Sequence, residues 1–464
     1  MAIPGGPKAF ARNMKVTGVL LLTLSAVTPA SSVFVIVPGI IQQAGTGAFI
    51  AMGAAALVAL AMALVYAELA SAFPLAGGEY AMLGRSLGPA VGFVYMGMMV
   101  IGSTLAPAVL ALGAADYVKA LWPGVQPVPF AVGVIALATG LGILNIRLNA
   151  WVTGLFLLVE ILALLVLAGL GLLHIHRPLG ELLHPVVANA AGALAPTPLS
   201  LIGLATAVAV FSYNGFGAAV YFSEEMHEAP SRVARTIMWA LVLTVVLEFA
   251  PLTAVLLGAP DLKMLLGSTS PFGDFLRGAG GRGLETAVGL GVALAIINAV
   301  IAIVLINARF FFSTGRDRVW PGAVNAALVR VHRRFDSPWV GTLLAGVTAC
   351  ATCFVPFNVL LVLNGTGVVV MYLLLCLAAI VGRLTGRTAH AAYRMPLFPM
   401  APVIGLIALV YILYANWQDP NVGQPSLIAT LCMLIVGALY YALLRNRRGP
   451  DWGMIGPTEE PPRS

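Results

Sequence analysis

Apolar runs long enough to cross a bilayer, which takes about twenty residues as helix, recur about twelve times along this chain. They lie at approximately 16 to 41, 47 to 73, 88 to 118, 128 to 146, 150 to 174, 198 to 223, 233 to 258, 284 to 313, 338 to 357, 359 to 382, 398 to 417 and 425 to 445. Hydrophobic residues make up 60% of the 464 positions and charged residues only 9%. Soluble domains carry roughly a quarter charged residues, so this is an all-α, multi-spanning membrane protein. Most separators are short and hold Gly, Pro or Arg, while longer ones fall near 175 to 197, 259 to 283 and 314 to 337. The run after the basic Met1 to Lys15 stretch is too long for the core of a cleavable signal.

The net charge of +7 would point to nucleic acid in a soluble protein. Placement argues otherwise. With the N-terminus inside, twenty of the twenty-five Lys and Arg fall on the interior side, and only Lys119, Arg177, Lys263, Arg277 and Arg282 fall outside. That bias orients an even number of spans with both termini cytoplasmic and turns the positive charge toward anionic headgroups, not nucleic acid. Asn325 to Arg334 reads as a short amphipathic surface helix or a solvated basic loop. Cys350-Ala-Thr-Cys353 has redox or zinc spacing but no second pair nearby, so the cysteines read as helix-packing residues. His174, His176 and His184 read as a plain loop, and no metal or cofactor is expected.

Two segments are interrupted in a way lipid does not tolerate. The first reads Val27-Thr28-Pro29-Ala30-Ser31-Ser32-Val33 at its middle. Pro29 removes a backbone donor, and the flanking hydroxyls offer the backbone competing partners, so a helix should break there. The sixth contains Phe211-Ser212-Tyr213-Asn214-Gly215-Phe216-Gly217, where Gly and Asn favour non-helical conformations. Unpaired backbone at membrane depth belongs beside a protein cavity, so each break is either a polar site or a kink that neighbouring helices absorb. The breaks lie five segments apart. Segments one to five and six to ten thus form candidate inverted repeats, with a substrate site at their interface.

The run Ala67-Glu68-Leu69-Ala70-Ser71-Ala72-Phe73-Pro74-Leu75-Ala76-Gly77-Gly78-Glu79-Tyr80, closing on Gly88-Pro89 and Gly92-Phe93, resembles the second-helix signature of the amino acid-polyamine-organocation (APC) permeases. Ser223-Glu224-Glu225 with Pro230 and Arg232 is similar to that family's exit from helix six, and Arg316-Asp317 with Trp320-Pro321 to its loop after helix eight. The resemblance covers roughly residues 16 to 395. It implies a LeuT-type five-plus-five core with helices 1 and 6 broken, followed by helices 11 and 12 at 396 to 446, with cytoplasmic tails at 1 to 15 and 447 to 464. Two departures stand out: the family's glycine-rich first break is Ala30-Ser31-Ser32-Val33 here, and the nearest match to its helix-five lysine is Glu160.

Helix ends define the expected chemistry. Amides near Ala30, Ser31, Ser32 and Val33 begin a half-helix and suit a carboxylate, while carbonyls near Val27 and Thr28 and those of Phe211, Ser212 and Tyr213 end half-helices and suit an ammonium. Together they suit a zwitterion, and the lack of an acid within either break weakens a purely cationic substrate. Asn214, Phe216 and Asn298 are further candidate contacts, with aromatic packing and interhelical bonding as the alternatives. Intramembrane acids are functional candidates by default. Glu160 and Glu248 are therefore candidates for coupling, and Glu68, Glu224 and Glu225 for an inner gate paired with Arg232, Arg235 or Arg85. The run from Val288 to Phe312 holds no Ser or Thr to complete the sodium site of related folds, which leaves proton coupling or exchange.

The expected function is a secondary transporter of amino acids or related small organic amines in the cytoplasmic membrane. A polyamine or organocation permease of the same fold is the nearer alternative, and an intramembrane enzyme or signalling protein the more distant one. No catalytic motif lies within the spans, and no separate catalytic domain is long enough to lie outside them.

Overall fold

The computed structural model describes residues 10, 12–188, 193–449 and 452–455, so the expectations for the two tails fall largely outside the described residues. Helix α1 (Val16–Val27) stops at Thr28. The chain resumes as α2 (Pro29–Ser31), a π-helical stretch Ser32–Ile36 and α3 (Val37–Ala44), and a glycine turn Gly45–Gly47 feeds α4 (Ala48–Ala72). Then come α5 (Glu79–Leu87), α6 (Pro89–Leu121), α7 (Pro127–Ile143) and α8 (Ile146–Leu173). An antiparallel hairpin, β1 (Val186–Ala188) with β2 (Leu194–Pro196), precedes α9 (Leu199–Ser212), which gives way to a 3-10 stretch Phe216–Glu225. The remainder is α10 (Ala229–Gly258), α11 (Leu262–Gly267), α12 (Pro271–Arg316), α13 (Gly322–Leu328), α14 (Trp339–Thr352), α15 (Phe357–Gly365), α16 (Gly367–Leu384), α17 (Met400–Trp417) and α18 (Gly423–Arg448).

Among the described residues, nine helical stretches are long and apolar enough to cross a membrane. The first, Val16–Ala72, takes in both of the first two expected segments, and Pro127–Ile143 and Trp339–Thr352 are shorter apolar helices. Helix α8 illustrates why these sequences settle as they do. Leu155, Leu158, Leu162 and Leu165 form an exposed apolar stripe, while Asn149, Thr153, Glu160 and Leu164 turn inward at the same helical spacing. Helices α8 and α10 touch backbone to backbone, since a Cβ on Gly171 would sit 2.4 Å from the carbonyl of Ala254. Close approach of this kind is how small residues join helices in lipid, and here it carries Glu160 and Glu248 inward from adjacent helices.

Three expected boundaries move. Helix α12 begins at Pro271 and bends at Gly281 (φ 73°), so most of the separator expected between 259 and 283 is helical; the Ser268 hydroxyl donates to Asp274 at 2.6 Å across its first turn. The segment at 359 to 382 divides at Thr366 into α15 and α16. The candidate surface helix at 325 to 334 ends at Leu328, because His332 Nδ1 accepts the amides of Arg334 and Phe335 at 3.2 Å and turns the chain.

Candidate functional site

At the first break Thr28 adopts the left-handed conformation (φ 49°, ψ 70°), its amide donating to the Leu24 carbonyl at 2.9 Å. Pro29 opens α2 without a donor. The Ala30 amide therefore stands near the start of the new half-helix, and it donates to Glu160 Oε1 on α8 at 2.8 Å. Both residues are fully buried. The amide expected to await a substrate carboxylate is thus held by a carboxyl of the protein's own.

The second break follows the same plan. Helix α9 ends at Ser212, Gly215 takes φ 115°, and the Ser212 hydroxyl donates to Glu248 on α10. The breaks also meet directly, since Ser32 Oγ on the first donates to the Ser212 carbonyl on the second at 3.0 Å. Gly215 lies against Val27, where an added Cβ would sit 3.0 Å from Val27 Cγ2. Gly215→Ala combines that contact with a left-handed backbone costing about 1–2 kcal/mol, so a lowered melting temperature in detergent is expected. An unchanged one would mean the break does not depend on this conformation.

The other sequence candidates divide by environment. Ala30, Ser32 and Val33 are buried, whereas Ser31 and Phe211 are half-buried. Tyr213 is buried and its hydroxyl reaches the Met52 carbonyl at 3.3 Å, and Asn214 Oδ1 accepts from the Tyr372 hydroxyl at 2.7 Å. Phe216 stacks on Tyr372 (6.2 Å, 12°) and meets Tyr66 edge-on. Asn298 donates to Ser25 Oγ at 2.9 Å and to the Thr153 carbonyl at 3.2 Å, tying α12 to α1 and α8.

The acids toward the face where α1 begins pair with arginines other than those expected. Glu68 holds Arg383 at 2.6 Å, Glu224 holds Arg316 at 2.9 Å in a two-pronged pair, and Glu225 holds Arg309 at 2.6 Å. Arg232 pairs instead with its helix neighbour Glu228. The preference follows from geometry: Arg309 and Arg316 project from α12 directly against the Phe216–Glu225 stretch, whereas Arg232 begins a helix that carries it to the surface. Beside this network Asp317 accepts from Tyr80 at 2.9 Å, and burial, opposed by Arg316, pushes its carboxyl up to about 6.

Glu79 carried no assigned role in the sequence reading. It is buried at the start of α5 and accepts from the hydroxyls of Tyr66 and Tyr221, and Gly78 (φ 62°) leaves the space Tyr221 needs. Its sequence signal was the Gly77-Gly78 pair, but its partners come from other elements, Tyr66 from α4 and Tyr221 from 142 positions on. A cavity of about 210 Å³ adjoins it, lined also by Tyr95, Ser103, Asn307, Phe310 and Met371; none of its lining residues belongs to either break.

A helical membrane bundle with two interrupted helices meeting at their breaks is thus in place, and comparison with known proteins gives its family. Residues 15–439 match the amino acid permease family. The chain is 23% identical to the branched-chain amino acid permease BcaP of Bacillus subtilis, over 96% of both chains. It is 24% identical to the methylthioribose transporter of Bacillus subtilis, over 95% of both. Against the large neutral amino acids transporter small subunit 2 of Homo sapiens it is 26% identical, over 69% of this chain and 61% of that one. This chain belongs to the amino acid permease family, within the APC superfamily, as a membrane-embedded permease of a kind consistent with secondary active transport of small solutes.

Proposed function

We propose that the protein carries an amino acid or related small organic amine across the cytoplasmic membrane by alternating access, with the two breaks as its substrate site and Glu160 as the proton carrier. Twelve spans with a five-plus-five inverted repeat and both termini cytoplasmic complete the reading, supported by the charge bias and by the pairing of the two breaks. The observation that carries it is the 2.8 Å bond from the Ala30 amide to Glu160 Oε1. A substrate carboxylate seeking that amide must displace Glu160, and a displaced carboxyl at this depth, with no cation beside it among the described residues, takes up a proton. Binding and protonation are then one event, which is what coupling requires. Two of the three relatives named above are named for amino acids, which supports that substrate class.

A cationic amine is the second reading. It is favoured by Glu248 at the other break, since two buried acids now face a site whose own segments carry none. Uptake of radiolabelled leucine, methionine and putrescine into proteoliposomes, with and without a pH gradient, separates the readings. Leucine or methionine accumulation driven by inside-alkaline liposomes is expected. Putrescine uptake alone would favour the cationic reading, and flat uptake of a broad panel of amino acids and amines would remove the transporter reading.

A further inference from the structure

The chain does not leave the bundle when α18 ends. Gly449 adopts a left-handed conformation (φ 88°) that closes the helix, and residues 452–455 lie back against the face formed by α5, α6 and the end of α12. Trp452 stacks on Phe93 of α6 at 4.3 Å and 17°, and its indole donates to the Asp317 carbonyl at 2.9 Å. The Ile455 amide donates to Asp317 Oδ1 at 2.8 Å. Between these anchors the Met454 side chain enters a slot made by two glycines. A Cβ on Gly84 would lie 2.0 Å from Met454 Cε, and one on Gly92 would lie 2.4 Å from it.

These contacts sit where the parts that alternating access would separate meet. Helix α5 packs along α6 and α16 and follows α4 through the Phe73–Gly78 turn; in the alternating-access reading the first, second, sixth and seventh segments, α4 among them, rock against the rest. Helices α6 and α12 belong to the part that would stay. Asp317, gripped by the tail, also accepts from Tyr80 of α5, and its neighbour Arg316 holds Glu224, which accepts from the Ala76 amide. The tail therefore closes a continuous set of bonds across the gate.

We propose that residues Trp452–Ile455 form a C-terminal clasp that fastens α5 to α6 and α12, holding this face of the permease shut, and that the clasp must release before the face opens. Its link to gating rests on the alternating-access reading, but the clasp itself can be tested without transport. The informative substitution is Gly84→Ala. With Met454 gone, the next atom the new methyl meets is the Gly92 Cα, at an ordinary 3.6 Å, so this change ejects Met454 without otherwise crowding α5. Gly92→Ala is unsuitable because its methyl would also strike the Tyr80 carbonyl at 2.6 Å.

Hydrogen–deuterium exchange on the full-length protein in nanodiscs, comparing wild type with Gly84→Ala and with Met454→Ala, reads the clasp directly. Both variants should exchange about tenfold faster over residues 79–92, with exchange across α8 unchanged. Unchanged exchange over 79–92 in both variants would overturn the clasp, as would acceleration spread evenly over the chain, which signals general loss of stability. In proteoliposomes both variants should take up solute several-fold faster. Inactive wild type would count against the transport reading while leaving the exchange result standing, and fast exchange with unaltered uptake in an active protein would overturn the gating role.

Discussion

Glu160→Gln should abolish accumulation driven by a proton gradient and leave solute exchange intact. Glutamine keeps an oxygen that can accept the Ala30 amide bond, so the break retains its local geometry, but it cannot take up a proton when the substrate displaces it. A gradient of one pH unit supplies about 1.4 kcal/mol per proton, enough for about tenfold accumulation if one proton accompanies each solute. In the variant the inside-to-outside ratio should fall to unity while counterflow between loaded liposomes and labelled solute continues. An accumulation ratio matching wild type would remove Glu160 from coupling.

The largest effect on stability is expected at Arg309. Its side chain is 2% exposed and that of its partner Glu225 is 3%, and the pair joins α12 to the stretch that follows the second break. Arg309→Met would leave a carboxyl buried without its cation, a loss of about 3–5 kcal/mol. The same reasoning makes the double variant Arg309→Met with Glu225→Gln the milder one, because the uncompensated charge is gone. Unfolding of the three proteins in detergent, followed by SDS titration, measures the difference. A double variant as unstable as the single would mean that packing of the guanidinium, which also lies 4.9 Å from the Phe222 ring centre, matters more than its charge.

Both interruptions were legible in the sequence because they arise from local chemistry. Pro29 cannot donate, and Gly215 supplies a left-handed backbone, so the chain departs from the helix where those residues stand. The apolar runs were legible for a similar reason, since lipid demands them wherever the chain crosses. What answers each break was not legible. Glu160 is 130 positions from Ala30 in the chain, and Glu248 is 36 from Ser212, so it is the packing of α8 and α10 against the broken segments that brings the two acids to the two breaks. The arginine partners were hidden on the same ground: Arg232, Arg235 and Arg85 were the candidates, whereas the packing of α12 and α16 brings Arg309, Arg316 and Arg383 to the acids. Glu79 was visible inside a glycine-flanked motif, yet its tyrosine partners come from α4 and from beyond the second break. The extra helix before Gly281 was hidden because glycines and mixed charge read as a loop, although Pro271 is well suited to begin a helix.

Competition between the substrate carboxylate and Glu160 for the Ala30 amide is the central claim, and proton uptake on binding tests it most directly. Isothermal titration of the purified protein with leucine, or with methionine if the uptake panel favours it, should be run in buffers of different ionisation enthalpy. For wild type, net proton uptake is expected on solute binding, with affinity tightening toward acid pH; for Glu160→Gln, none, with affinity insensitive to pH. Equal proton uptake by the two proteins would contradict the claim.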